Sequence, residues 1–171
     1  MIMLEKAILS ESKTFYDHRG QFTPLNLESD TNKWLQSNVS ISTKKNTFRG
    51  LHYQEGEWSQ AKLVKVIKGS VLDIVVDLRK ESPDYGKSEI FMLNPNNQLY
   101  VPRYFAHGFL TLEDDCIVQY LVDNVYNKES EKTLFWNEVV ELSEILKNIE
   151  LIISEKDNPN LWFTTKAYPN L

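Results

Sequence analysis

The sequence predicts an all-β protein, a barrel or sandwich of short antiparallel strands, and three observations carry that reading. First, β-branched and aromatic runs recur along the chain. Second, turn signals bound them, among them Lys68-Gly69-Ser70, Ser82-Pro83-Asp84-Tyr85-Gly86 and Asn94-Pro95-Asn96-Asn97. Third, helical spacing stands out only at Leu142, Ile145, Leu146 and Ile149, which predicts a short surface helix near the C-terminus. No repeat, linker or low-complexity tract divides the chain, so residues 1–171 are expected to form a single domain.

In order, residues 2–9 read as a strand and Ser10 to Thr14 as a polar turn. The segment from Tyr16 to Phe22 is turn-rich. Residues 34–42 alternate, with Trp34, Gln36, Asn38, Ser40 and Ser42 on one face and Leu35, Val39 and Ile41 on the other. Lys44-Lys45-Asn46 is a hairpin-like turn, and Glu55 to Gln60 a polar surface loop. Residues 61–79 read as the clearest hairpin, two β-branched runs joined at Lys68-Gly69-Ser70. Strands follow at 88–93 and 98–101, then a loop from Pro102 to Gly108, then strands at 109–112 and 116–125. The tail from Asn158 carries Trp162 and Phe163 as anchors.

Composition narrows the function classes. With 42% hydrophobic and 25% charged residues, the chain is an ordinary globular protein. A formal charge of −5 argues against general nucleic-acid binding. Cys116 is the single cysteine, so no intrachain disulfide is possible. No segment approaches the roughly 20 apolar residues of a membrane span, and no secretory leader is recognisable. These points predict a cytoplasmic protein without a membrane partner.

Chemistry concentrates in Phe48-Arg49-Gly50-Leu51-His52-Tyr53-Gln54. Arginine clamps phosphate or carboxylate, and histidine moves protons near neutral pH. Three residues apart, Arg49 and His52 fall on opposite faces of an ideal strand, and share a site only if the backbone bulges near Gly50. Lys62 shares a face with Val64 and Val66, and Lys65 a face with Leu63 and Ile67, so either lysine can be the inward one. An inward ammonium needs a partner or an anionic ligand; an outward one snorkels to the barrel mouth. Tyr120 lies with Cys116, Val118 and Val122, as a core aromatic or as a proton donor aimed into a pocket. The proline and histidine of Pro102-Arg103-Tyr104-Phe105-Ala106-His107 resemble the second motif of the cupin barrels. Many cupins bind a metal through several histidines, but His18, His52 and His107 are too few for that set, so no metal is expected.

Together the motifs resemble the dTDP-4-dehydrorhamnose 3,5-epimerase family. They include Asp17-x-Arg19-Gly20, the Phe48 to Gln54 stretch, Gln60-Ala61-Lys62-Leu63-Val64, Val75-Val76-Asp77-Leu78-Arg79, Ala106-His107-Gly108-Phe109-Leu110 and Ser154-Glu155-Lys156-Asp157. The resemblance implies a cupin-type jelly roll working as a cofactor-free, metal-free homodimer on a nucleotide-linked, dTDP-type 4-keto-6-deoxy sugar. It makes His52 the base, Asp157 its orienting partner, Lys62 the stabiliser of the enolate and Tyr120 the opposing acid. It implies diphosphate contacts at Arg49 and Arg19, nucleotide contacts at Gln36 and Asn38, aromatics near the nucleotide at Tyr126 and Phe22, and a sugar-pocket position for His107. The run Gln21-Phe22-Thr23-Pro24 lacks the acidic residue that usually follows the Phe, and Lys147-Asn148-Ile149-Glu150 replaces a usual Trp-Pro pair. The rival readings are a nucleotide-sugar 3,4-ketoisomerase or single-carbon epimerase of the same fold, a non-catalytic sugar-nucleotide-binding cupin, and a metal-dependent cupin oxygenase.

Overall fold

The computed structural model describes residues 6–18, 20–24 and 33–160. Two five-stranded antiparallel sheets face one another as a jelly roll. The first runs β1(Ile8–Glu11), β9(Asn97–Val101), β6(Lys62–Lys68), β11(Cys116–Val122) and β4(Gln36–Ser42). The second runs β12(Glu131–Thr133), β5(Phe48–Gln54), β10(Phe105–Thr111), β7(Val71–Asp77) and β8(Ser88–Leu93). A small hairpin, β2(Phe15–Asp17) with β3(Gly20–Phe22), stands apart from both.

Two cores explain the long apolar runs. Val64, Val66, Val71, Val75, Phe105, Phe109 and Val118 fill the space between the sheets. On the far side of the second sheet, Phe48, Leu51, Ile74, Val76, Ala106 and Leu110 pack against Val139, Leu142 and Leu146. Strands β7 and β10 are therefore covered on both faces, which a half-exposed strand with strict alternation is not. The helix α1(Val140–Leu146) lies in the expected region, but it is anchored by fully buried Leu142 and Leu146 rather than lying loosely on the surface.

Several local expectations are corrected. Residues 61–79 are not a hairpin: β6 pairs with β9 and β11, whereas β7 pairs with β8 and β10, so Lys68-Gly69-Ser70 carries the chain from one sheet to the other. Lys44-Lys45-Asn46 likewise joins strands of different sheets. The expected loop from Pro102 to Gly108 is mostly strand, because β10 begins at Phe105 and His107 pairs across to Val75. The segment read as turn-rich is the β2–β3 hairpin. The first strand starts at Ile8 and takes in Ser10 and Glu11 of the expected polar turn, because Ile8 to Glu11 pair with Tyr100 to Asn97. Residues 2–5 of the expected first strand, Arg19, and the Trp162 and Phe163 anchors lie outside the described residues.

Candidate active site

The parity conflict between Arg49 and His52 is resolved by a bulge in β5. His52 stands opposite His107, and Arg49 opposite Phe109, so three steps on β5 match two on β10. Phe48 and Leu51 then face the outer core, while Arg49 and His52 both line the interior cavity. Gly50 takes φ of 129° there, and a Cβ on it would come within 2.7 Å of Gly108 Cα. A Cβ on Gly108 would lie 2.4 Å from Arg49 O, so the bulge depends on two glycines in contact.

The cavity holds about 680 Å3. Six of the expected site residues line it: Arg49, His52, Lys62, His107, Tyr120 and Asp157. Lys62 is the inward lysine. It shares its face with the core residues Val64 and Val66, while Lys65 turns outward to Ser12 Oγ and the Pro95 carbonyl. A smaller adjoining pocket of about 190 Å3 is lined by Gln36, Asn38 and Tyr126, and shares His52, Lys62 and Tyr120 with the main cavity. Phe22 sits elsewhere, 68% exposed on the β2–β3 hairpin and tilted against Phe15.

His52 Nε2 lies 2.6 Å from Asp157 Oδ1, which leaves Nδ1 as the nitrogen with a free lone pair. Asp157 reaches β5 because residues after α1 run beside it. Phe48 donates its N–H to Ile152 O, and Ile152 its own to Asn46 O, before a 3-10 turn at Glu155–Asp157. The Gly50 N–H donates to Asp157 Oδ2 at 3.3 Å. Burial opposes charge on Asp157, but the bonds from His52, Gly50 and Ser154 hold its pKa below the ordinary carboxylate value. An anion behind the imidazole fixes its tautomer and orientation.

A second pair backs the lysine. His107 Nε2 lies 2.9 Å from Asp73 Oδ1, and His107 Nδ1 lies 3.5 Å from Lys62 Nζ. Burial lowers the His107 pKa despite Asp73, so the ring is neutral and its Nδ1 accepts from the ammonium. Lys62 also donates to the His52 carbonyl at 3.4 Å. Burial lowers its pKa from 10.5 to about 8, with Asp73 and Glu131 opposing. The Tyr120 pKa is raised, chiefly by burial, so the phenol keeps its proton at neutral pH.

The polar face of β4 points inward. Gln36, Asn38, Ser40 and Ser42 pair with the inward Val122, Tyr120, Val118 and Cys116, respectively. Gln36 donates to Asn38 Oδ1 at 2.6 Å, and Arg49 Nε to Ser42 Oγ at 3.3 Å. Ser40 Oγ is buried against the cavity with no hydrogen-bond partner among the described residues, a donor and acceptor ready for a ligand. Among the described residues Arg49 meets no carboxylate at ion-pair distance. Sequence reasoning missed Ser40, Asp73 and Glu131. Asp73 had one signal, an acid inside the apolar run Val71 to Val76. Among the described residues no group of three His, Cys, Asp or Glu is placed to hold a metal ion.

A guanidinium with open donors, an oriented imidazole, a buried ammonium and a protonated phenol suit proton transfer next to a carbonyl on an anionic ligand. Comparison with known proteins points the same way. The family model described as dTDP-4-dehydrorhamnose 3,5-epimerase matches residues 2–164. The dTDP-4-dehydrorhamnose 3,5-epimerase of Escherichia coli K12 is 37% identical over 163 residues, covering 90% of this chain and 88% of that one. A structure of dTDP-6-deoxy-D-glucose-3,5-epimerase from Legionella pneumophila in complex with dTDP-4-keto-L-rhamnose superposes with a TM-score of 0.78 at 30% identity, covering 91% of this chain and 86% of that one. A 3'-monoepimerase from Streptomyces bikiniensis in complex with dTDP-quinovose gives a TM-score of 0.80 at 28% identity, covering 91% and 83%.

Proposed function

Since this chain belongs to the dTDP-4-dehydrorhamnose 3,5-epimerase family, we propose that it epimerises a dTDP-linked 4-keto-6-deoxy sugar at carbons 3 and 5, as in rhamnose biosynthesis. The observation that carries the reading is the set of groups around one cavity: the His52–Asp157 pair, the Lys62 ammonium and the Tyr120 phenol. The C–H bonds beside the C4 carbonyl are acidified by it. His52 Nδ1 removes one of these protons, and Asp157 stabilises the imidazolium that forms. Lys62, oriented by His107 and Asp73, offsets the charge that develops on the enolate oxygen. Tyr120 returns a proton from the opposite face, and inversion results.

Arg49 holds the diphosphate, with Ser42 and Ile41 O fixing its guanidinium. Arg19 is a second diphosphate contact on the family pattern. Gln36, Asn38 and Tyr126 meet the nucleotide in the adjoining pocket. The working form is a homodimer. Leu35, just before β4, and Val39 and Ile41 on its outer face lie 53–62% exposed, and Phe15 and Phe22 are exposed on the hairpin, so two apolar surfaces favour burial against a second copy.

The test is incubation with dTDP-4-keto-6-deoxyglucose in deuterium oxide. Label at both C3 and C5, with inversion at both, is the expected result. The likeness to a 3'-monoepimerase favours one specific second reading, label at C3 alone. No label at any ring carbon would refute enolisation.

A further inference from the structure

We propose that Lys65 is a positioning residue for assembly, a latch that ties the root of the β2–β3 hairpin to the first sheet and so fixes where that hairpin meets a second copy of the chain. The inference rests on the homodimer proposed above. The outer face of the first sheet has an inverted pattern of burial. Val39, Ile41 and Ile67 are 48–62% exposed, whereas Lys65, the cation between Leu63 and Ile67 on that face of β6, is only 6% exposed. The exposed aliphatics and the buried cation are neighbours: Gln119 of β11 stands between Val39 and Lys65, and Ile117 stands opposite Ile41. Burial lowers the Lys65 pKa, with Glu11 opposing, a cost that a lysine pointing into water avoids.

The buried ammonium closes a knot of three segments. β1 ends at Glu11, opposite Asn97, and the chain leaves the sheet at Ser12. The Ser12 N–H donates to Asn96 O at 2.6 Å, while Lys65 Nζ donates to Ser12 Oγ at 2.7 Å and to Pro95 O at 2.9 Å. Beyond this knot the hairpin pairs with neither sheet among the described residues, and the Thr14 and Thr23 hydroxyls lie 2.8 Å apart across its base. A pocket of about 200 Å3, lined by Gln21, Thr23, Lys65, Ile67 and Gln119, separates it from the sheet, so packing does not seal the two together. A two-stranded hairpin on its own is marginal in water. Its direction is therefore set at the root, by bonds that Lys65 donates to uncharged acceptors. Phe15, Tyr16 and Phe22 are carried on that root beside the exposed Ile67, so hairpin and sheet face present one surface for a second copy to match.

The test compares Lys65→Met, Ser12→Ala and the two together with wild type, and uses Lys68→Met, an exposed lysine of the same strand, as the control for lost charge. Hydrogen exchange at the Ser12 amide and at the hairpin amides of Phe15, Tyr16, Gln21 and Phe22 should speed up by about 10- to 100-fold in each single variant, while amides of β7 and β10 keep wild-type protection. In sedimentation equilibrium the dimer dissociation constant should rise by about tenfold or more in both. Because both changes remove the same bond, the double variant should be no worse than Lys65→Met. Lys68→Met should match wild type in each measurement. Ser12→Ala loses only a hydroxyl, so it decides the matter if Lys65→Met does not fold. Folded variants with wild-type exchange in the hairpin would overturn the proposal, as would an unchanged dissociation constant or additive losses in the double variant. A wild type that stays monomeric at every concentration would instead overturn the homodimer, and exchange in the hairpin then decides whether Lys65 is its latch.

Discussion

Replacing Lys62 by methionine should make the protein more stable while severely slowing its chemistry. The ammonium has the His52 carbonyl and His107 Nδ1 as its partners, at 3.4 and 3.5 Å. No carboxylate lies at ion-pair distance from it among the described residues. Burial lowers its pKa from 10.5 to about 8. At about 1.4 kcal/mol per pH unit, holding that charge in the folded chain costs on the order of 3 kcal/mol. Below pH 8 both folded and unfolded chains carry the proton, and the whole penalty applies. Between about 8 and 10.5 the unfolded chain holds a proton that the folded chain has released, so this group's contribution to stability rises with pH across that window. Methionine has similar length and no charge to desolvate. After allowing about 1 kcal/mol for the lost hydrogen bonds, the variant should exceed wild type by roughly 1–2 kcal/mol near neutral pH. The gap should close near pH 10. Urea denaturation of both proteins at the two pH values measures it, and titrating groups that do not face Lys62 cancel in the comparison. The same variant should lose about 100- to 1,000-fold in kcat, since the cation facing the enolate is gone. A variant less stable than wild type near neutral pH, or a gap that does not narrow with rising pH, would refute the reasoning.

Tyr120→Phe should lose inverted product by a larger factor than it loses deuterium wash-in, because His52 can still remove and return a proton on its own face; mass spectrometry with a stereochemical assay on the same samples decides, and equal losses would defeat the opposite-face assignment. Arg49→Ala should weaken both the sugar nucleotide and bare dTDP by one or two charge-assisted bonds, roughly 1.5–3 kcal/mol each; a calorimetric titration with unchanged dTDP affinity would remove Arg49 from the site. Gly108→Ala should destabilise the fold by about 1–3 kcal/mol, because its Cβ would lie 2.4 Å from Arg49 O and 3.0 Å from Gly50 Cα, backbone atoms that cannot swing away. An unchanged urea midpoint would mean that the two strands part freely there.

Strand identity was legible in this sequence wherever one face is polar. Residues 34–42 alternate in sequence and alternate in the structure, and the strand at 88–93 falls where expected. Strand partners were not legible, because pairing is a property of the whole sheet. Apolar residues on β6 and β7 mark both as buried without saying that they belong to opposite sheets. His107 read as a loop residue because Pro102 and Gly108 flank it, yet Gly108 serves close packing on Gly50 rather than a turn. Arg49 and His52 needed the bulge before they could share a cavity, and the sequence offered only Gly50 as a hint. The inward direction of Lys62 and the partner of His107 depend on which apolar face becomes the interior, and that choice is made by long-range register.

The crossing of the chain between sheets also bears on how the protein forms. Among the described strands, only β2–β3 and β7–β8 pair with their immediate successors in sequence. β6 waits for β9 and β11, β5 for β10 and β12, and β4 for β11. Loop closure over such separations must precede the contacts that compensate for it, which places folding in the slow, millisecond-to-second class of high-contact-order β proteins. On the ribosome, the residues that supply Arg49, His52 and Lys62 emerge well before the strands that hold them. Until Phe105 to Val122 have been synthesised, β4, β5 and β6 present unpaired edges of the kind that recruit other chains. A nascent chain that stalls before residue 122 therefore carries much of the site's chemistry and little of its scaffold.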